Sequence, residues 1–247
     1  MRLLKTRRQK IDHVEFSASG GLLAQGYEEC LFWPNPLASE SAEIITRESV
    51  YQARLCSNGD ILLSTFSRGV FLTRPGVDEA YPLVKRQVGL CWIGTSPHEP
   101  LFVVQNYQGL QGFAVVEGEG VKQLWSQPCT TGPSAFHFDP RNSQFLTGVY
   151  DGEVGGEGSW RFEFRNGRTG EMTREVPAER GFFTRSSLRA DGIQLASAYD
   201  FRFWVIDLSQ DDYFPAVEFR NSGHKHSPTS PSTRPGGIWR PRRTTPR

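Results

Sequence analysis

Residues Ser186 to Asp207 read SSLRADGIQLASAYDFRFWVID. The stretch holds three apolar runs: one ahead of Ala190-Asp191-Gly192, one over Ile193–Ala198, and one over Phe201–Ile206. Asp-Gly marks a tight hairpin, because its second residue must accept a positive φ. Tyr199-Asp200 supplies a second turn, and Trp204 with Asp207 ends the unit. The pattern predicts three short antiparallel strands in succession. The rest of the chain repeats it, less cleanly, four more times.

The first repeat is Val14–Trp33, with Ser19-Gly20-Gly21 at its turn and Pro34 and Pro36 stopping its third strand, since proline cannot donate to a ladder. The second is Ala53–Leu72, turning at Ser57-Asn58-Gly59. The third runs from Leu90 to Val115 with Thr95-Ser96-Pro97-His98 at its turn. The fourth starts at Ala135-Phe136-His137-Phe138, turns at Asp139-Pro140-Arg141-Asn142 and resumes at Gln144–Val149. Between the repeats lie Ile44-Ile45, Tyr81–Val84, Val121–Trp125, Met172–Val176 and Ala216–Phe219, each read as a fourth, outer strand. Leu3-Leu4 looks like another such strand. Four strands per unit, ending in an aromatic, is the grammar of a propeller blade.

Composition agrees. The chain has 247 residues, and 37% hydrophobic content suffices for one packed interior, while Gly 25 and Pro 16 suit many short strands joined by turns. No apolar run approaches the roughly eighteen residues that a spanning helix needs. MRLLKTRRQK lacks a hydrophobic signal core, so a cytoplasmic product is expected. Cys30, Cys56, Cys91 and Cys129 are scattered without a CxxC pair and read as reduced, partly buried thiols. The net charge of +1 hides an asymmetry: seven Lys/Arg and no acid follow from Arg220 onward, leaving −6 on residues 1–219.

The units also keep a near-regular spacing. Gly20 and Gly59 stand 39 apart, and Asn58 to Asn142 covers two units in 84. Asp191 follows Asn142 by 49, the excess fitting a Gly-rich insertion at Asp151–Ser159. Over residues 1–219 the units resemble divergent WD40 repeats. The resemblance rests on Arg189-Ala190-Asp191-Gly192-Ile193-Gln194-Leu195-Ala196-Ser197 and on the aromatic endings Trp33 and Trp204. Trp33 is followed by Pro34 where the family often has Asp, and no Gly-His pair precedes a unit; Asp151 and Asp200 stand where the family's structural Asp would be. The resemblance implies an all-β, WD40-like β-propeller with about five four-stranded blades, near 14–48, 53–85, 89–126, 134–176 and 184–219. Family rings commonly close with about seven blades, and propellers range over about four to eight.

No catalytic constellation emerges, and no cofactor or metal is expected. Gly152–Gly158 lacks the GK[ST] of a phosphate loop. His13, His98 and His137 are not at metal spacing, and His224 and His226 sit in a polar tail. No serine lies in a G-x-S-x-G elbow. One feature recurs. The second strand ends on an aromatic in every unit, at Tyr27, Phe66, Tyr107, Tyr150 and Tyr199, within AQGY, LSTF, VQNY, TGVY and ASAY. These rings are read either as an arc of stacking or peptide-docking groups on one face, or as fillers packed between blades.

The resemblance implies a non-catalytic scaffold for a protein or peptide partner. Two other readings stand beside it: a truncated, non-functional family member, and a small-ligand or enzymatic propeller. A membrane is not an expected partner. The basic tail, 220–247, with Arg240, Arg242, Arg243 and Arg247 near Trp239, suits nucleic acid or a solvated disordered segment. A third account takes residues from about Ser227 as an out-of-frame remnant of a sixth blade, so nucleic acid is not the expected partner. With one base lost just before Ser227, and Ser read as TCN and Arg as CGN, the residues present fix the second base of each original codon. Ser227, Ser230 and Ser232 then imply apolar residues, Thr229 and Thr233 imply Asp, Asn, His or Tyr, and Gly236 and Gly237 mostly Gly or Arg. One allowed string, FTDIAFHPAGRYLAATTNDAT, has alternating apolar residues, a Pro-x-Gly turn and then Leu-Ala, and it resembles Ala135–Pro140. The tail is then expected to be disordered and the fifth blade to show an unprotected edge.

Overall fold

The structure is a computed structural model that describes residues 10–38, 41–85, 91–106, 109–128, 136–151, 159–178, 185–199, 202–209 and 216–220. Tyr107, Leu3-Leu4, Cys129, the Gly-rich stretch 152–158 and the basic tail beyond Arg220 lie outside the described residues.

The described residues form five four-stranded antiparallel sheets, each made of four consecutive strands. The first blade holds β1 (Ile11–Phe16), β2 (Leu22–Gly26), β3 (Cys30–Trp33) and β4 (Glu43–Thr46). The second holds β5 (Val50–Leu55), β6 (Ile61–Thr65), β7 (Gly69–Thr73) and β8 (Tyr81–Lys85). The third holds β9 (Trp92–Thr95), β10 (Leu101–Asn106), β11 (Gly109–Val116) and β12 (Gly120–Pro128). The fourth holds β13 (Phe136–Phe138), β14 (Gln144–Asp151), β15 (Ser159–Asn166) and β16 (Met172–Ala178). The fifth holds β17 (Arg185–Leu188), β18 (Gln194–Tyr199), β19 (Arg202–Asp207) and β20 (Ala216–Arg220). The blades form a propeller ring, with their first strands around a central channel.

The first hairpins follow one design. Gly59 and Gly192 sit at φ 85 and φ 69, where a side chain would strain the turn. Gly59 N donates to the Cys56 carbonyl at 3.0 Å, and Gly192 N to that of Arg189 at 2.8 Å. In the fourth blade Asn142 N donates to the Asp139 carbonyl at 3.3 Å, and the Asp139 carboxylate accepts from Arg141 and Asn142 instead of relying on a glycine.

Burial peaks in the middle of each blade. β6, β7 and β10 are buried at every residue, whereas the outer strand β8 is mostly exposed. The sheets stand face to face around the ring, so a middle strand is apolar on both sides and reads as a continuous run. Successive side chains then enter different cores. Leu63 joins Leu23, Phe32 and Phe71 between the first and second blades. Leu62 joins Ile93, Phe102 and Phe113 between the second and third. Val103, Phe136 and Phe145 fill the third junction, and Leu146, Phe162, Leu195 and Trp204 the fourth. Among the described residues no core joins the fifth blade to the first. The first blade's remaining face holds only its own cluster of Ala24, Leu31 and Trp33 with Leu22 and Ile44 around it.

Buried and half-buried polar side chains tie consecutive blades together. Gln25 Oε1 accepts from Ala53 N at 3.1 Å, and its Nε2 donates to the Tyr51 carbonyl at 3.2 Å. Ser64 Oγ donates to the Cys91 carbonyl at 2.7 Å, and Gln52 Oε1 accepts from Ile93 N at 2.8 Å. Thr147 Oγ1 donates to Gln105 Oε1 at 3.5 Å. His137 Nε2 meets Ser186 Oγ at 2.7 Å across the last junction. Such bonds satisfy groups that burial would otherwise penalise, and they fix the rotation of one sheet against the next.

Candidate docking site at the channel mouth

Two β-bulges build the mouth. In β1 the register slips between Ile11 and His13, and in β5 between Val50 and Gln52, so Asp12 and Tyr51 are the extra residues. A bulge re-aims its side chain out of the ladder. Both residues line a cavity of about 720 Å³ at the channel axis, together with Tyr27, Phe66, Trp92, Phe136 and Phe203.

Four of these rings form a continuous wall. Tyr27 meets Phe66 with centroids 5.7 Å apart, Phe66 meets Tyr51 edge-on at 5.7 Å, and Tyr51 meets Trp92 edge-on at 5.1 Å. These are favourable tilted and edge-to-face separations, and they leave no slot between neighbouring rings for a ligand. A ligand therefore meets the wall from its open side. Tyr27 is 57% exposed and Phe66 39%. Trp92 Nε1 is buried and has no hydrogen-bond partner among the described residues.

Below the wall the channel narrows. His13, Arg54, Phe136, His137, Ser186 and Ser187 line both the upper cavity and a second of about 340 Å³ beneath it. Glu15 Oε2 accepts from Leu55 N at 3.2 Å and lies 3.6 Å from His13 Nε2. Burial lowers the pKa of the Arg54 guanidinium, and the nearby Glu15 carboxylate opposes that shift. Burial, with the Arg54 charge adding to it, holds His137 down at about 4, so its imidazole is neutral at neutral pH.

Of the five aromatics expected to act together, the structure brings Tyr27 and Phe66 into contact. Tyr150 and Tyr199 take their places in β14 and β18, opposite Trp160 and Arg202, but their side chains are outside the described residues, as is the whole of Tyr107. Tyr51 and Trp92 come from first strands and were not anticipated. The ties at Gln25, Ser64 and Gln105 were missed too, although each stands two residues before an aromatic already singled out.

Among the described residues no group of three or more His, Cys, Asp or Glu is placed to share a metal ion, and no helix is long and apolar enough to cross a membrane. Cys30, Cys56 and Cys91 are free and buried, and burial raises each thiol's pKa, that of Cys30 to about 12.

No protein-family model and no curated protein matches the chain. Solved structures do. The β-propeller domain of Cps50 (Swd1) from Myceliophteria thermophila superposes with a TM-score of 0.65 at 14% identity, over 87% of this chain and 73% of that one. The fold is that of a β-propeller with four-stranded blades. The Dos1 propeller matches with a TM-score of 0.59 at 10% identity, over 88% of this chain and 60% of its own. At such identities the likeness is one of architecture alone.

Proposed function

We propose that the chain is a non-catalytic scaffold that binds a protein or peptide at the mouth of its channel. The observation that carries this is the wall of Tyr27, Phe66, Tyr51 and Trp92, half-exposed over a cavity of about 720 Å³. Exposed aromatics held rigidly by their neighbours give large contact area at small entropic cost, as binding hot spots do. The expected setting is the reducing cytoplasm, where buried thiols stay unpaired.

Selection of peptides from a displayed random library against the whole chain tests the reading. Phe66→Ala, which opens the middle of the wall, lowers the affinity of selected peptides by about tenfold or more, a loss usual for a hot-spot ring. An unchanged affinity in Phe66→Ala and Tyr27→Ala, with both variants folded, rules the wall out.

A further inference from the structure

We infer that the neck of the channel receives a carboxylate from the docked peptide, with Arg54 as its cation. The inference rests on the docking reading above and adds the chemistry of the partner.

Hydrogen-bonding capacity at the neck is unbalanced. Arg54 Nη1 donates to the Ala53 carbonyl at 2.9 Å, and the guanidinium has no other hydrogen bond among the described residues. A guanidinium carries five N–H donors in a rigid fork, so most of its capacity remains open. Glu15, the acid whose charge acts on Arg54, accepts from Leu55 N at 3.2 Å, with His13 Nε2 3.6 Å away. Meanwhile the positive charge reaches His137 across the channel and disfavours its protonation. The neck thus offers unmet donors on a cation whose charge Glu15 only partly offsets, and asks for an acceptor.

Charge selects among ligands. A cationic side chain would face Arg54 directly. An apolar one would strip water from the guanidinium and return nothing. A carboxylate matches the fork with two parallel hydrogen bonds. A dianionic phosphate fits less well, since Glu15 already offsets part of the single Arg54 charge. Geometry adds a spacing. Arg54 lies three residues beyond Tyr51 on β5, about 10 Å along a strand. An extended peptide spans that distance in about three residues, so its acid should stand about three positions from the group that stacks on the wall.

The experiment is selection of random dodecapeptides against the whole chain, followed by binding of the selected peptides to the wild type, Arg54→Gln and Arg54→Lys. The expected result is enrichment of an acid about three residues from an aromatic or large apolar residue. Arg54→Gln then lowers affinity about tenfold or more, to the level of the peptide whose carboxylate is replaced by its amide, and Arg54→Lys recovers part of the loss. Amidating the peptide C-terminus and exchanging its internal acid for the amide show which carboxylate enters; either location supports the inference. Peptides whose binding requires Phe66 but shows no acid enrichment and no dependence on Arg54 overturn the carboxylate and leave the docking reading standing. If no peptide is enriched, both fall. Enrichment on the wild type is read without any variant, so misfolding of Arg54→Gln cannot mask the outcome.

Discussion

The first and second blades share one strand grammar and differ in what surrounds them. In the second, both faces of β6 and β7 enter cores shared with neighbouring blades, and Val50 and Leu55 of β5 are buried as well. In the first, Leu23 and Phe32 enter a shared core, but Val14 and Phe16 on the opposite face are 58% and 69% exposed. The fifth blade repeats the contrast. Trp204 and Ile206 pack on the fourth blade, while Phe203 and Val217, on the face turned away from it, are exposed. A blade's sequence specifies its sheet, but its burial comes from the sheet beside it. Apolar residues at Val14, Phe16, Phe203 and Val217 suit a neighbour that the described residues do not supply.

The largest test compares equal truncations on the two kinds of face. Phe102→Ala empties a fully enclosed site between the second and third blades and is expected to cost about 3–5 kcal/mol in urea unfolding. A cost under about 1 kcal/mol would mean that this core is not sealed.

A second test sets the last junction against the others. His137 and Ser186 join the fourth and fifth blades through a titratable group, whereas Gln52 and Ser64 tie the second to the third through neutral ones. The folded pKa of His137 is depressed, to about 4 from an ordinary 6.5, because burial and Arg54 resist its charging. Between those values the unfolded chain binds a proton that the folded chain refuses. The His137 contribution to stability is therefore fully present above about pH 6.5 and lost as pH falls toward 4. Hydrogen exchange should quicken in β17–β19 before β5–β7 over that window, and His137→Gln should flatten the difference. Equal quickening in both blades would dissolve the contrast.

The smallest expected effect lies on the open face. Phe16→Ala should shift stability by no more than about 0.5 kcal/mol, as exposed substitutions do. A loss above about 1.5 kcal/mol would show that something covers that face in solution.

Much of this architecture was legible because its signals are local. Asp191-Gly192 and Asn58-Gly59 announce turns, since few residue pairs tolerate the backbone those turns need. Ile61–Thr65 announces a strand buried on both faces by being apolar without alternation. The mouth is not local. Tyr51 reaches it through one extra residue in VYQARL, and an inserted residue leaves no mark in composition. Trp92 read only as the apolar start of a repeat. Gln25, Ser64 and Gln105 recur in register, yet a polar residue in a buried strand acquires meaning only when the next blade's backbone lies opposite it. The same holds for Arg54, whose unmet donors matter because of the channel around them.

The three buried cysteines carry a further consequence. Cys30 begins β3 of the first blade, Cys56 follows β5 in the second, and Cys91 precedes β9 in the third. Alkylating reagents attack the thiolate, and burial holds all three as thiols shielded from solvent. Each becomes reactive only when its own surroundings open. The modification rate at each position, resolved by peptide mass, is thus a separate clock for one sector of the ring, and the first blade's, whose far face no described residue of another blade covers, is the one whose clock should run fastest.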